Sequence, residues 1–219
     1  MNNVGPFQRR VTLSFDNGPT PGVTERVLDS LAERNIKATF FIVGKDLRDR
    51  RRRAIAQRAV AEGHWVGNHT MTHSVQLGDA PPDVAHFEIE AAQRVLSDLA
   101  RPEKLFRPYG GGGIISRHLL SAAAVDELRR RQYTVVLWNS LPRDWEDPKG
   151  WPERCLQDIQ TRDWSLVVVH DTPTEAMLRL PYFLAALSSQ GVTVVQDFPE
   201  ACVPIRSGVV QGSIDDLTS

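Results

Sequence analysis

Short apolar runs rich in β-branched residues alternate with longer segments of helical period along the chain. The apolar runs are continuous, which is typical of strands that are covered on both faces. They predict strands at 11–15, 38–43, 64–68, 104–107, 133–139, 165–170 and 192–196. The segments between them predict helices at 21–35, 52–63, 81–100, 116–132, 150–163 and 172–191. Alternation without a linker predicts one α/β domain with a parallel sheet, open or closed into a barrel.

Several residues set the expected ends of the helices. Pro181 lies inside the last helical segment and is expected to kink or split it, because proline lacks the N–H that a helix interior needs. Ser116 can cap the fourth helix with its side-chain oxygen. The arginine-rich run at 48–53 is predicted to be a solvated helix start, and a site for an anionic partner is the alternative.

Composition and charge exclude some classes of partner. The 219 residues suit one domain with a sizeable core. The formal net charge is -1, so neither a nucleic acid nor a membrane surface is an expected partner. No apolar run is long enough to span a bilayer, the first residues have no signal-peptide pattern, and Cys155 and Cys202 lack metal-type spacing. We therefore expect a protein of the reducing cytoplasm.

Residue types that support catalysis follow the predicted strands closely. These residues are Asp16 and Asn17, His69 and His73, Arg107, Asp144 and Trp145, and His170 and Asp171. In parallel β/α folds the carboxyl ends of the strands lie on one face, and active sites are built there. The five strand ends are therefore expected to converge on one site.

Asp16, His69, His73 and His170 each have a structural interpretation beside the functional one. His69 and His73 can reach one cation from a single turn, and zinc accepts nitrogen and oxygen ligands; the alternative is that they are hydrogen-bonded structural residues. Asp16 could add a carboxylate, or the stretch 16–22 could be a turn that leads into a helix. His170 ends a very apolar strand, either as a hydrogen-bonded core histidine or as a general acid.

Taken in order, these stretches resemble the polysaccharide deacetylase family, also called the NodB-homology domain or carbohydrate esterase family 4. Ser-Phe-Asp-Asn-Gly-Pro at 14–19 is similar to the family's Thr-Phe-Asp-Asp-Gly-Pro, and 69–73 matches its His-Ser/Thr-x-x-His. Residues 107–111 approximate Arg-x-Pro-Tyr/x-Gly, 144–145 match the Asp-Trp element, and 168–170 approach Leu-x-His.

The resemblance implies an irregular (β/α)7-type barrel as a single domain. It spans 11–198, with an N-terminal extension at 1–10 and a C-terminal tail at 199–219. It also implies a hydrolase that removes an N-acetyl or related acyl group from an amino sugar by metal-activated water. The implied ligands of a divalent cation, with Zn²⁺ expected, are His69, His73 and Asn17. The other implied site residues are Asp16 as general base, Arg107 as its holder, His170 as general acid, Asp144 as the residue that tunes it, Tyr109 or Gly110 as oxyanion donor, and Trp145 as a pocket wall.

Two departures from the family pattern affect these expectations. Asn17 stands where the family has a metal-binding Asp, so the donor set carries no charge and metal affinity is expected to be weaker. Relatives that deacetylate muramic residues of peptidoglycan also carry Phe-Asp-Asn-Gly, so this change does not imply a dead enzyme. The stretch that begins at Arg107 is one residue short of Arg-Pro-Pro-Tyr-Gly, so either Tyr109 or Gly110 can occupy the oxyanion position.

Two other functions stay open beside N-deacetylation. One is hydrolysis of a cyclic amide, a reaction that some members of the superfamily catalyse without a metal. A small soluble substrate would suit this function. The other is a degenerate barrel that binds a glycan and catalyses nothing, which only Asn17 supports. Retention of both the base and the acid, Asp16 and His170, argues against the second.

Overall fold

A computed structural model describes residues 8–219 and contains one sheet of nine strands. The strands are β1 (Arg10–Asp16), β2 (Thr39–Ile42), β3 (Trp65–Asn68), β4 (Leu105–Phe106), β5 (Thr134–Val135), β6 (Trp164–His170), β7 (Thr193–Val195), β8 (Ile205–Arg206) and β9 (Val209–Val210). The first seven lie within the seven predicted segments, apart from one-residue extensions at both ends of β1 and at the start of β6. They pair in parallel, whereas β8 and β9 are antiparallel.

The sheet closes on itself irregularly. Its hydrogen-bonded order is β6-β1-β2-β3-β4-β5-β8-β9, and β7 pairs with the first half of β1. Beyond β5 the chain returns to β6, where Ser140 forms a parallel bridge with Val167. This bridge joins the two ends of the parallel order, so the irregular barrel predicted for a single α/β domain is confirmed.

Helices surround the sheet at the predicted places; five are shorter than predicted, whereas the second has the predicted length but lies two residues earlier. They are α1 (Thr24–Ala32), α2 (Arg50–Ala61), α3 (Pro82–Leu96), α4 (Ala122–Arg130), α5 (Trp151–Ile159) and α6 (Leu180–Ser189). Pro181 lies in the first turn of α6, where a missing N–H costs nothing, and a separate 3-10 turn precedes it. The predicted split is confirmed. Ser116 caps only a 3-10 turn, and Ser121 is the residue that caps α4.

The main core lies between the sheet and the helices. Phe15, Leu28 and Trp151 are fully buried there. Burying a side chain of this size contributes roughly 1.5–3 kcal/mol, so this layer holds the strand ends in fixed positions. The arginine-rich run begins α2, with the Asp49 carboxylate accepting from the Arg52 N–H, as expected of a solvated helix start.

The two chain ends differ in what the structure describes. Of the expected N-terminal extension, residues 1–7 lie outside the described residues, and Arg10 belongs to β1. The segment expected as a C-terminal tail forms the β8–β9 hairpin, in which Ile205 is fully buried and pairs with Val135. None of the helices described is long and apolar enough to cross a membrane.

Candidate active site

The end of β1 presents a buried carboxylate held by a buried arginine. Because side chains alternate along a strand, Ser14 and Asp16 face the same side, towards the barrel interior. Arg107 follows β4 and donates from Nη1 to Asp16 Oδ1 at 2.7 Å and to Ser14 Oγ at 2.8 Å. Its Nε and Nη2 donate to the carbonyls of Val136 and Leu137 at 3.1 and 3.0 Å. The guanidinium therefore has one fixed position.

This arrangement keeps Asp16 ionised. Burial by itself raises the pKa of a carboxyl, but the charge of Arg107 and its hydrogen bond, together with the charge of His170, outweigh it. The pKa of Asp16 is held below its ordinary value as a result. A carboxylate that stays charged in a buried place can accept a proton at neutral pH.

The two histidines lie on the turn that follows β3. His69 donates from Nδ1 to the carbonyl of Arg107 at 2.8 Å, because a carbonyl can only accept. Its Nε2 is therefore free of a proton when the ring is neutral, and it lies 3.6 Å from Asp16 Oδ2. Burial lowers the pKa of His69, and burial with the neighbouring His69 lowers that of His73 to about 3. Both rings are neutral, which is the form that binds metals.

The turn between the histidines has a tight backbone. Thr70 and His73 have positive φ angles of 64° and 55°. The side chain of Asn68 accepts from the Thr70 N–H at 2.9 Å, and Thr70 Oγ1 accepts from the His73 N–H at 3.1 Å. These bonds bring the two imidazoles together, with ring centroids 4.8 Å apart.

Asn17 occupies a left-handed position directly after β1, with φ 75°. Its N–H donates to the carbonyl of Phe41 at 3.2 Å, which fixes the turn. Its side-chain Oδ1 is buried, and no group within residues 8–219 donates to it. A buried amide oxygen without a donor is costly, so a ligand that accepts its lone pair would satisfy it.

The donor set fits a divalent cation of the zinc type. It offers the unprotonated nitrogen of His69, the neutral ring of His73 and the unpartnered oxygen of Asn17. Within residues 8–219 no group of three His, Cys, Asp or Glu side chains could hold a metal ion, and the third donor of the present set is an amide. The set is neutral, so its affinity depends on geometry more than on charge.

A second charged pair lies at the end of β6. His170 is in register with Asp16 on the neighbouring strand, so the two side chains lie side by side. Asp144 is fully buried and accepts from His170 Nδ1 at 2.8 Å and from the His170 N–H at 2.9 Å. Burial lowers the pKa of an imidazole, but the hydrogen bond and charge of Asp144 outweigh it here, so the pKa of His170 is raised. The ring stays protonated to higher pH than a free histidine.

These side chains meet in one cleft of about 260 Å³. Its lining includes the predicted residues Asp16, Asn17, His69, His73, Tyr109, Gly110, Trp145 and His170. Arg107 and Asp144 lie behind it, each in contact with a residue that lines it. Tyr109 packs on His73 with ring centroids 4.3 Å apart, and Trp145 meets the edge of His170 at 5.0 Å.

Two glycines of the run beside Tyr109, Gly110 and Gly113, are packed closely against an aromatic and an aliphatic side chain. A Cβ on Gly110 would lie 2.6 Å from the Trp138 ring, and one on Gly113 would overlap Leu141. The backbone N–H groups of Tyr109 and Gly110 make no hydrogen bond within residues 8–219. Both are therefore available as donors, and the structure does not choose between the two positions that the short motif left open.

Sequence reasoning assigned no role to some residues that shape the site. Asp171 is fully buried, accepts from Thr24 Oγ1, and fills the space where Gly18 would carry a Cβ. Burial raises its pKa to about 6. The position of Asp171 directly after His170, at the end of a strand, was the one sequence feature that could have indicated a role in the site. Trp138 and Leu141 form further walls of the cleft, and their apolar character made them resemble core residues.

A scan against protein families matches residues 4–131 to the polysaccharide deacetylase model. A chitooligosaccharide deacetylase of Rhizobium leguminosarum bv. phaseoli is 35% identical over 169 residues, which cover 73% of this chain and 66% of that protein. Another chitooligosaccharide deacetylase, from Bradyrhizobium sp. (strain ANU 289), is 32% identical over 205 residues, covering 85% of this chain and 88% of the relative.

A solved structure has the same fold. It is a family 4 acetyl xylan esterase from Clostridium thermocellum in complex with a cobalt ion, and it superimposes with a TM-score of 0.68 at 28% identity. The match covers 85% of this chain and 87% of the esterase. The likeness therefore extends over most of both chains.

Proposed function

This chain belongs to the polysaccharide deacetylase family, and we propose that it hydrolyses the N-acetyl amide of a chitooligosaccharide-like substrate. The predicted enzyme class, an amide hydrolase of the carbohydrate N-deacetylase type, is confirmed by the relatives. The particular sugar and the roles of individual residues are the proposal.

One observation carries it: two titratable groups with opposite preferences lie side by side in one cleft. Arg107 lowers the pKa of Asp16 and so favours its ionised form, and Asp144 raises the pKa of His170 and so favours its protonated form. A pair of neighbouring groups whose pKa values are pushed in these directions is suited to act as general base and general acid. A barrel that only bound a glycan would need neither.

The chain's own residues divide the reaction as follows. Asp16 accepts the proton of the attacking water, and Arg107 keeps the carboxylate charged and aimed. His170 donates its proton to the nitrogen of the leaving amine, and Asp144 fixes the ring so that Nε2 carries that proton. An N–H of Tyr109 or Gly110 donates to the oxygen of the tetrahedral intermediate.

A divalent cation held by His69, His73 and Asn17 would supply Lewis-acid chemistry to the amide carbonyl and to water. The unpartnered Asn17 oxygen and the unprotonated His69 nitrogen support this assignment. The walls of the cleft, Trp145 and Tyr109, offer flat apolar surfaces of the kind that surround small-molecule ligands.

Acetate release from an N-acetylglucosamine tetramer tests the proposal, with the full chain assayed before and after chelation and after Zn²⁺ is restored. Asp16→Asn and His170→Asn should each lower kcat by roughly 10²–10⁴-fold, the usual contribution of one acid or base. His118→Asn is a matched control, because His118 also pairs with an aspartate, Asp79, at 2.8 Å but is exposed and away from the cleft. It should leave kcat unchanged.

Two results would contradict the proposal. No acetate release by the Zn²⁺-loaded protein would remove the chitooligosaccharide assignment. Hydrolysis that survives complete chelation would instead favour the metal-independent hydrolysis of a cyclic amide.

A further inference from the structure

The turn that carries the two histidines is held from the outside by a carboxylate on α3. Glu88 Oε2 accepts from the backbone N–H of Thr72 at 2.8 Å, and its Oε1 accepts from Thr72 Oγ1 at 2.6 Å. Both oxygens thus bind one residue, and that residue directly precedes His73 in the chain.

Glu88 is buried, with 2% of its surface exposed. Within residues 8–219 no lysine, arginine or histidine forms an ion pair with it at 4.0 Å or less. Burying a carboxyl group is costly unless hydrogen bonds compensate, and within residues 8–219 both hydrogen bonds of the Glu88 side chain come from Thr72. The buried side chain therefore uses both of its oxygens to hold one residue of the turn.

The turn needs such support, because its backbone is not relaxed. Thr70 and His73 lie in the left-handed region, which residues with a side chain adopt at an energetic cost. Lys45 Nζ also bonds the carbonyl of Thr72 at 2.8 Å, so Thr72 is held at its N–H, its hydroxyl and its carbonyl.

The two histidines differ in how they are fixed. The ring of His69 is anchored by its own bond to the carbonyl of Arg107. Within residues 8–219 no group forms a hydrogen bond with the His73 ring, so the position of the ring depends on the backbone, the bond from the His73 N–H to Thr70, and packing against Tyr109. A shift at Thr72 would therefore move His73 more than His69.

We propose that Glu88 is a positioning residue for the cation site, which holds the His73 imidazole in place by fixing Thr72. This inference rests on the proposed function only in that His69 and His73 bind a divalent cation. Glu88 contacts neither the cation nor the substrate; it acts through the turn. Groups that orient metal ligands commonly change metal affinity by about 10–100-fold when they are removed.

The test measures Zn²⁺ affinity of the purified full chain by competition with a chromophoric chelator, together with the free energy of unfolding of the chelated protein in urea. Glu88→Ala should weaken Zn²⁺ binding by about tenfold or more. Glu88→Gln should stay within about threefold of wild type, because its Oε1 can accept from the Thr72 N–H while its Nε2 donates to Thr72 Oγ1.

Glu90→Ala is the matched control on the same helix. Glu90 also accepts one hydrogen bond, from the Tyr133 hydroxyl at 2.8 Å, and neither residue lines the cleft. This variant should lose stability yet keep the Zn²⁺ affinity of wild type. A structural role alone would give Glu88→Ala the same pattern as Glu90→Ala.

The possible outcomes distinguish a wrong positioning role for Glu88 from a wrong assignment of the cation site. Equal Zn²⁺ affinity of Glu88→Ala and wild type would overturn the positioning role while leaving the cation site intact. If Glu88→Ala does not fold, Thr72→Val removes the bonds of the Thr72 hydroxyl to Glu88 and to Ser74 and should still weaken Zn²⁺ binding severalfold, whereas Ser74→Ala removes only the second of these bonds and should not. Unchanged affinity in Thr72→Val, or an equal loss in Ser74→Ala, also overturns the role. A wild-type chain that binds no Zn²⁺ would overturn the cation site itself, and the inference with it.

Discussion

Replacing Arg107 by methionine should destabilise this protein severely, because the change removes the cation from a buried ion pair. Methionine matches the length of the arginine stem but supplies none of its donors. Asp16, Ser14 and the carbonyls of Val136 and Leu137 would all lose their guanidinium partner.

The magnitude follows from burial. Arg107 is fully buried and Asp16 is 4% exposed, so neither group is screened by solvent. Breaking a buried pair by removal of one partner typically costs about 3–5 kcal/mol. Each of the two carbonyls left without a donor adds a cost of up to about 1–3 kcal/mol. Protonation of Asp16 offsets part of the total loss of stability. We expect a loss of at least about 3 kcal/mol in the free energy of unfolding.

Urea unfolding of the chelated protein, followed by circular dichroism at several pH values, measures this loss. Arg107 depresses the folded pKa of Asp16, so the stability that it contributes is present above the unfolded pKa and is lost as the pH falls through the folded pKa. The difference in the free energy of unfolding between wild type and Arg107→Met should therefore become smaller as the pH falls. Adding Asp16→Asn should restore part of the stability, because no buried charge is then left unpaired.

The control is Arg51→Met, since Arg51 is 69% exposed and pairs with Glu25 at 3.6 Å. It should cost little, as exposed pairs do. A loss below about 1 kcal/mol for Arg107→Met at neutral pH, or a gap that does not depend on pH, would refute the reasoning, because a broken buried pair costs several times more.

Further predictions concern the acid, the cation and the first turn. Asp144 raises the pKa of His170, so kcat should fall as the pH rises through that raised value. Asp144→Asn should move this alkaline limb of the pH profile of kcat to lower pH. A limb that does not move would show that His170 is not the acid. Asn17→Asp adds a charge to a neutral donor set and should tighten Zn²⁺ binding at least about tenfold in chelator competition, whereas unchanged affinity would exclude residue 17 as a ligand. Gly18→Ala should lower the free energy of unfolding, measured in urea, by about 1–3 kcal/mol, because the Cβ of the alanine would overlap the Asp171 carboxyl. Unchanged stability would mean that the turn can move freely.

The positions of the seven parallel strands were predicted better than their lengths, and the β8–β9 hairpin was not predicted. The apolar run 133–139 predicted one long strand, but only Thr134–Val135 is assigned as strand. The carbonyls of Val136 and Leu137 accept from Arg107, and the Leu137 N–H donates to the carbonyl of Cys202. An apolar run indicates burial, but it does not indicate which hydrogen-bond partners the backbone finds.

The sequence did not reveal the contacts that Glu88 and Asp171 make in support of the site. Glu88 lies on α3 sixteen residues after Thr72, and Asp171 meets Thr24 across 147 positions. Periodicity relates only residues that are near in the chain, so contacts of this kind leave no local pattern. His69 and His73 did leave one, because both lie on a single turn.

The sequence by itself determined the order of strands and helices and the placement of acidic, basic and imidazole side chains at strand ends, since apolar period and chain direction suffice for both. The family followed from the order of short motifs. Only the tertiary structure decided that the barrel closes through Ser140 and Val167 and that Asp16 is buried beside Arg107. It also decided that, within residues 8–219, no group donates to the side-chain oxygen of Asn17. These features depend on distances between residues far apart in the chain, and it is those distances that set the charges in the cleft.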